Sequence, residues 1–183
     1  MMKTIILDPG HGMANKRAKV YDPGACAAGE TEAGIALDWA NELRGLLLAA
    51  GHKVVRTRVD GRDPAPVGQR AAIARRYGGD IMISLHCNAA TGQAHGTETF
   101  FRGKEHAPMA TRLNEAVRAA LGTRDRGIKT EAASQHRTLA IMAFQPCFLI
   151  ELGFIDHDGD RTKMLDPALR RKACAALAEV LLA

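Results

Sequence analysis

Apolar and polar positions alternate along the chain between short apolar runs and longer amphipathic stretches, a pattern typical of an α/β fold. Five runs bounded by Gly, Pro, Asp or polar clusters predict strands at 3–8, 53–58, 80–86, 96–101 and 146–152. A shorter strand is predicted near 138–142. We therefore expect a twisted, mostly parallel sheet of about six strands with helices on both faces.

The longer stretches have the three- and four-residue spacing of amphipathic helices. Ile35, Trp39 and Leu43 predict a helix over about 31–50, and Gly51 is expected to end it. Further helices are predicted at 66–77, 106–121 and 167–182. The segments 13–25, 60–66 and 123–137 lack a periodic apolar face and are predicted to be loops.

Length and composition narrow the class of protein. A chain of 183 residues suits one domain with one sizeable core, so we expect a single domain over 1–183 and a monomer. The net charge of +5 suits an anionic partner, but an aromatic content of 4% provides little for stacking nucleic acid bases, so nucleic acid is not expected. The apolar run at the N-terminus is too short to insert into a membrane or to act as a signal peptide.

Four residues with metal-binding or acid–base side chains stand where the predicted sheet would bring them together. His11 follows the first strand, His86 ends the third, Glu151 lies near the end of the last, and Glu32 begins the first long helix. The crevice of an open parallel sheet lies at the carboxyl ends of its strands. Two His and one Glu are a known ligand set of catalytic zinc, which leaves one carboxylate as the general base, and Glu151 is the candidate. Co²⁺ or Mn²⁺ would fit the same ligands with different affinity.

The choice of glutamate ligand stays open between Glu32 and Glu30, because either can also act by its charge at the helix N-terminus. Glu151 lies in an apolar strand, where a carboxylate is costly unless it is paired or functional. Glu98 alternates with apolar positions and is expected to be solvated or salt-bridged. The cysteines are far apart with no C-x-x-C pair, which favours a reduced compartment over a zinc knuckle or a redox motif.

Several motifs in order carry a family resemblance. They are 7–12 (LDPGHG), 22–25 (DPGA), Glu32, 51–58 (GHKVVRTR), 80–89 (DIMISLHCNA), 96–98 (GTE), 126–129 (RGIK) and 149–155 (LIELGFI). Over nearly its whole length the chain resembles the zinc-dependent N-acetylmuramoyl-L-alanine amidases of the type-3 family. The resemblance implies one Zn²⁺ held by His11, Glu32 and His86, with Glu151 as the catalytic glutamate. It implies a peptidoglycan substrate, cut at the amide between the lactyl group of N-acetylmuramic acid and L-alanine.

The chain departs from the family pattern in three places. Residues 13–21 (MANKRAKVY) are an insertion whose Lys16, Arg17 and Lys19 either contact anionic groups of the wall near the zinc site or form a solvated basic loop. Cys87 stands where alanine is common and is expected to be a small core residue facing away from His86. The segment between His86 and Glu151 leaves no room for the helix that plugs the active site of cell-division members.

These features predict an endolysin-type enzyme made in the cytoplasm without a signal peptide, acting on the cell wall after release and lacking a separate wall-binding domain. Two alternatives remain open. One is a cytoplasmic zinc amidohydrolase that acts on soluble muropeptides or other small amides. The other is a non-catalytic wall-binding module that holds no metal.

Overall fold

Six strands form one mixed central sheet in the computed structural model, which describes residues 1–90 and 93–183. They are β1 (Thr4–Pro9), β2 (Lys53–Arg56), β3 (Ile81–Asn88), β4 (Thr97–Phe101), β5 (Asp125–Thr130) and β6 (Cys147–Phe154). The spatial order is β2–β1–β3–β6–β4–β5. The first four strands of that order run parallel, whereas β4 is antiparallel to β6 and β5 is parallel to β4. The predicted mostly parallel sheet is confirmed.

Five α-helices surround the sheet in the part of the chain that the structure describes. They are α1 (Glu32–Ala49), α2 (Val67–Arg76), α3 (Ala107–Leu121), α4 (Asp158–Leu165) and α5 (Pro167–Leu182). The Thr31 hydroxyl caps α1 by accepting the Gly34 N–H, and Gly51 follows the helix with φ +83°, a conformation that glycine adopts without strain. Within the described ranges, no helix has the length and apolarity needed to cross a bilayer.

The helices cover both faces of the sheet, as the alternation of β1 shows. Ile5 and Leu7 belong to the larger core, which α1, α3 and α5 cover. Ile6 points the other way, into a smaller core built with α2 and a 3₁₀-helix at Ala140–Ala143. The predicted covering of both faces is therefore confirmed, and the cleft described below lies on the less heavily covered face.

Three predictions about individual elements were wrong. The segment 138–142 is not a strand, because most of it lies in the 3₁₀-helix Ala140–Ala143. The predicted loop 123–137 contains β5, an edge strand whose single apolar residue, Ile128, packs against the larger core. Helix α4 was not predicted, since its eight polar-rich residues give only a weak periodic pattern. The loop 13–25 is mostly irregular, although its ends pair as Gly12–Met13 with Tyr21–Asp22.

Candidate metal and catalytic centre

The turn after β1 places His11 at the carboxyl edge of the sheet. His11 has φ +57°, a left-handed conformation that is costly for a residue with a side chain. Two buried arginines hold this turn. Arg58 donates to the carbonyls of Pro9 and Gly10 at 3.1 and 2.8 Å, and Arg70 donates to the His11 carbonyl at 2.6 Å. The orientation of His11 is thus set by contacts from β2's C-terminal extension and from α2.

Glu32 lies between the two predicted histidines. Its Oε2 is 3.0 Å from His11 Nε2, and its Oε1 is 2.7 Å from His86 Nδ1. The backbone N–H groups of Ala25 and Cys87 donate to the same two oxygens at 2.9 and 3.1 Å. One ligand atom from each of His11, Glu32 and His86 lies within 4.8 Å of the other two. The structure brings these three predicted residues together, whereas Glu30 does not belong to the group.

Two glycines leave room for this cluster. A Cβ on Gly10 would lie 2.4 Å from His86 Cε1, and a Cβ on Gly24 would lie 2.5 Å from Glu32 Oε2. Gly24 also has φ +69°. Any side chain at either position would displace a residue of the cluster, which explains why the two turns carry glycine.

Asp22 orients the His11 imidazole by contacting the ring nitrogen that does not face Glu32. Its Oδ2 is 3.1 Å from His11 Nδ1 and accepts the side-chain amide of Asn15 at 2.7 Å. Burial opposes ionisation of Asp22, but the hydrogen bonds from Asn15, His11 and the Gly24 N–H outweigh it and hold the pKa well below its usual range. A carboxylate on Nδ1 leaves the Nε2 lone pair of His11 directed toward Glu32, which is the arrangement that orients metal-binding histidines.

Opposite charges within the cluster shift the pKa values of His11 and Glu32. Burial works against the protonated form of His11, but Glu32 and Asp22 outweigh burial and raise its pKa. Burial also works against the carboxylate of Glu32, yet the two histidines lower its pKa far below the usual range. The ionised carboxylate of Glu32 and positive charge on its imidazole neighbours therefore stabilise each other.

Glu151 is the neighbour of this cluster across the sheet. In β6 it is paired in register with His86 of β3, so both side chains leave the same face. Its Oε2 is buried and has no hydrogen-bond partner among the described residues. Burial, followed by the nearby charges of Glu32 and Glu98, raises the pKa of Glu151 well above its ordinary value. A buried carboxyl with a raised pKa and an unpartnered oxygen is a candidate for accepting and returning a proton.

A cleft of about 820 Å³ opens over these residues. His11, Glu32, His86 and Glu151 all line it, together with Glu98. Lys16 reaches its edge with a 70% exposed side chain, 3.5 Å from Asp22 Oδ2. Arg17 and Lys19 are exposed. The arrangement brings two imidazoles, a bridging carboxylate and a free carboxyl to one solvent-accessible space.

The expectations about Cys87 and about the helix content between His86 and Glu151 are confirmed. Cys87 is 3% exposed and its thiol packs against Met164, so it is a core residue facing away from His86. All four cysteines are free. Between His86 and Glu151, α3 is the single α-helix in the described residues, as predicted. Glu98 is salt-bridged, as expected, but it is buried and lines the cleft, which the sequence did not indicate.

Sequence reasoning missed the residues that support the cluster. Asp22 and Arg58 lie in two of the family motifs, at 22–25 and 51–58. The spacing of these motifs did not indicate which groups the two side chains contact. Arg70 lies on the buried side of α2 among small apolar residues, where Ala71 and Ala74 also point inward. A charged residue on an apolar helix stripe is the signal that would have identified it, because such a residue is rarely buried without a partner.

Comparison with known proteins agrees with this geometry. The sequence profile described as N-acetylmuramoyl-L-alanine amidase matches residues 5–183. The chain belongs to this family. It is 31% identical over 180 residues to the N-acetylmuramoyl-L-alanine amidase LytC of Bacillus subtilis, covering 96% of this chain and 34% of LytC. It is also 31% identical over 179 residues to the uncharacterized protein YqiI of the same organism, covering 96% of this chain and 81% of YqiI.

A solved structure establishes the same fold. The catalytic domain of CwlV, an N-acetylmuramoyl-L-alanine amidase from Bacillus (Paenibacillus) polymyxa, superposes with a TM-score of 0.85 at 22% identity, covering 98% of this chain and 96% of that domain. The family resemblance and the fold class inferred from the sequence motifs are confirmed. The chain spans about a third of the length of LytC.

Proposed function

We propose that this chain is a zinc-dependent peptidoglycan amidase that hydrolyses the bond between the lactyl group of N-acetylmuramic acid and L-alanine. The observation that carries the proposal is the meeting of His11, Glu32 and His86 beside the unpartnered Oε2 of Glu151 in one open cleft. Membership of the amidase family supports the bond type. An endolysin-type role at the cell wall remains a further part of this proposal.

The residues of the cluster fit a zinc ion. Two imidazole nitrogens and one carboxylate are borderline-soft and hard donors that zinc accepts, and three protein ligands leave a position open, as catalytic zinc requires. His11, Glu32 and His86 would hold the ion. When bound, the ion would supply Lewis acidity to the substrate carbonyl and to the attacking water.

The chain's own groups would perform the proton transfers. Glu151 lines the cleft that the substrate amide would enter, and its unpartnered Oε2 is the atom that would take a proton from the attacking water. The same oxygen would return that proton to the leaving nitrogen of L-alanine. The raised pKa of Glu151 suits both steps, because a carboxylate that is more basic than usual takes the proton from water more readily and holds it for transfer to the leaving nitrogen.

The experiment is digestion of purified sacculi by the wild-type protein and by Glu151→Gln, with products identified by mass. We expect wild type to release stem peptides that begin with L-alanine, and a chelator to abolish the release. The isosteric Glu151→Gln should lower the rate by about 10²–10⁴-fold. Glu179→Gln, an exposed change on α5, is the matched control and should retain the wild-type rate.

Other outcomes identify the alternatives. Cleavage of soluble muropeptides with intact sacculi would favour the small-amide hydrolase. Binding to sacculi without cleavage by zinc-loaded protein would favour the non-catalytic module. Full activity of Glu151→Gln would contradict the role given to Glu151. Loss of turbidity in a suspension of permeabilised bacteria would be the readout for lytic action.

A further inference from the structure

On the side of the cleft where Glu98 lies, two positively charged side chains contact a single carboxylate. Glu98, with a 4% exposed side chain, accepts Arg126 Nε at 2.8 Å and Lys129 Nζ at 2.5 Å on the same oxygen. Its other oxygen accepts the side-chain amide of Asn88 at 2.8 Å. One carboxylate thus faces two cations. We call Arg126 and Lys129 the cationic pair; it keeps one positive charge beyond what Glu98 balances.

Arg126 is held in a fixed orientation with its outer nitrogens free. Its Cζ lies 4.8 Å from the centroid of the Phe154 ring, while Nε is tied to Glu98. The two terminal nitrogens have no hydrogen-bond partner within residues 1–90 and 93–183, and the side chain is 27% exposed. A guanidinium fixed by stacking and by one hydrogen bond presents a planar fork suited to a carboxylate, at little cost in side-chain entropy.

The cationic pair lies beside a row of cross-strand neighbours that includes Glu151. His86, Glu151 and Glu98 are register neighbours on β3, β6 and β4, and Arg126 stands on β5 beside Glu98. Neighbouring strands are about 4.8 Å apart, so Arg126 is roughly 10 Å from Glu151 along this row. All of them line the same cleft. An extended peptide advances about 3.3–3.6 Å per residue, so this distance corresponds to two or three residues.

We propose that the cationic pair binds a free carboxylate of the stem peptide, two or three residues beyond the amide that is cut. This inference rests on the proposed function and adds to it a preference for acidic over amidated stem peptides. Arg126 would donate hydrogen bonds from its two terminal nitrogens to the carboxylate, and Lys129 would add a point charge. Glu98 acts as the positioning residue that holds both cations toward the cleft.

The test compares two soluble substrates in zinc-loaded protein. One is an N-acetylmuramoyl tripeptide whose stem carries two free carboxylates. The other is the same compound with both carboxylates converted to amides. We expect wild type to prefer the acid by about 10- to 100-fold in kcat/KM, mainly through KM, because charged hydrogen bonds of this kind contribute that much to binding. The two singly amidated compounds then identify which carboxylate is bound.

Variants separate recognition from structure. Arg126→Gln should lose the preference by slowing the acid substrate and leaving the amide nearly unchanged. Arg126→Lys should keep part of the preference, since charge remains without the fork. Arg124→Gln removes an exposed arginine from the residue before β5 and should retain the full preference, with thermal midpoints compared throughout.

Three results would overturn the inference. Equal cleavage of both compounds by wild type would show that no carboxylate is recognised. An equal loss on both compounds in Arg126→Gln and Arg126→Lys would show a structural role for the arginine. Cleavage of neither compound, nor of sacculi, would refute the proposed function itself and this inference with it.

Discussion

Asp8 is a buried carboxylate whose partners link the sheet to the turn that carries His11. Its side chain accepts hydrogen bonds from Ser84 at 2.6 Å and from Thr57 at 2.5 Å, and it forms an ion pair with Arg70 at 2.7 Å. Burial alone would raise the pKa of Asp8, but Arg70 and the two hydroxyls outweigh burial and lower it. The charge on Asp8 therefore stabilises the folded state wherever it is ionised.

This shift gives a prediction for Asp8→Asn. Near pH 7 the substitution should lower the free energy of unfolding by about 3–5 kcal/mol, because it leaves the buried Arg70 without its counterion. A folded-state pKa below the unfolded value of about 3.9 means that the contribution is fully present above that value and is lost as the pH falls through the folded pKa. Urea unfolding of both proteins between pH 3 and 7 should show the gap narrowing below about pH 4. A gap independent of pH would refute the assignment.

Individual site residues were predictable from the sequence where they follow or end a predicted parallel strand. His11, His86 and Glu151 follow or end parallel strands, and the rule that a crevice forms at those ends identified them without any structure. Arg126 and Lys129 escaped that rule because they lie on β5, an edge strand that runs opposite to the four parallel strands and that the pattern predicted as a loop. Glu32 was separated from Glu30 only by three-dimensional contacts.

Elements were predictable in proportion to their apolar periodicity. The central strands β1, β3 and β6 and the helix α5 lie within two residues of the predicted bounds. The edge strand β5 needs one apolar side chain and gives no alternation. A short, mostly apolar segment such as 138–142 (TLAIM) fits a strand and a helical turn equally well, so its conformation depends on packing against α2.

The inserted loop 13–21 supports a prediction about how the protein treats polymeric sacculi and a soluble substrate differently. Lys16 lies at the edge of the cleft, and Arg17 and Lys19 are exposed on the same loop, so the loop would attract a polyanionic wall polymer toward the site. Changing all three to Ser should weaken binding to sacculi several-fold at low salt and leave cleavage of a soluble muramoyl peptide unchanged. The effect should fade at high salt because exposed charges are screened.

A triple Ser variant of Lys53, Arg112 and Lys172 is the charge-matched control, since all three are exposed and outside the cleft lining. Equal sacculus binding by the two triple variants would show that net charge alone matters. Unchanged binding and cleavage in the loop variant would identify residues 13–21 as a solvated basic loop.

The cluster of His11, Glu32 and His86 lies outside both hydrophobic cores. The larger core joins α1, α3 and α5 to one face of the sheet, and the smaller one joins α2 to the other, so neither contains a residue of the cluster. The cluster ties the β1 turn, the start of α1 and the end of β3 together at one edge. Metal binding should therefore add stability to a fold that forms without it, unlike small domains that need a metal to fold.

Removal of the metal should accordingly lower the thermal midpoint without unfolding the protein. At a free zinc concentration 100-fold above the dissociation constant, binding contributes about 2.7 kcal/mol, which for a chain of this size corresponds to roughly 5–10 °C. Calorimetry and far-UV circular dichroism of zinc-loaded and chelated protein are the measurements, with His11→Ala as a variant that should lose the zinc-dependent shift. A chelated protein that unfolds without a cooperative transition would show instead that the metal centre is needed for folding.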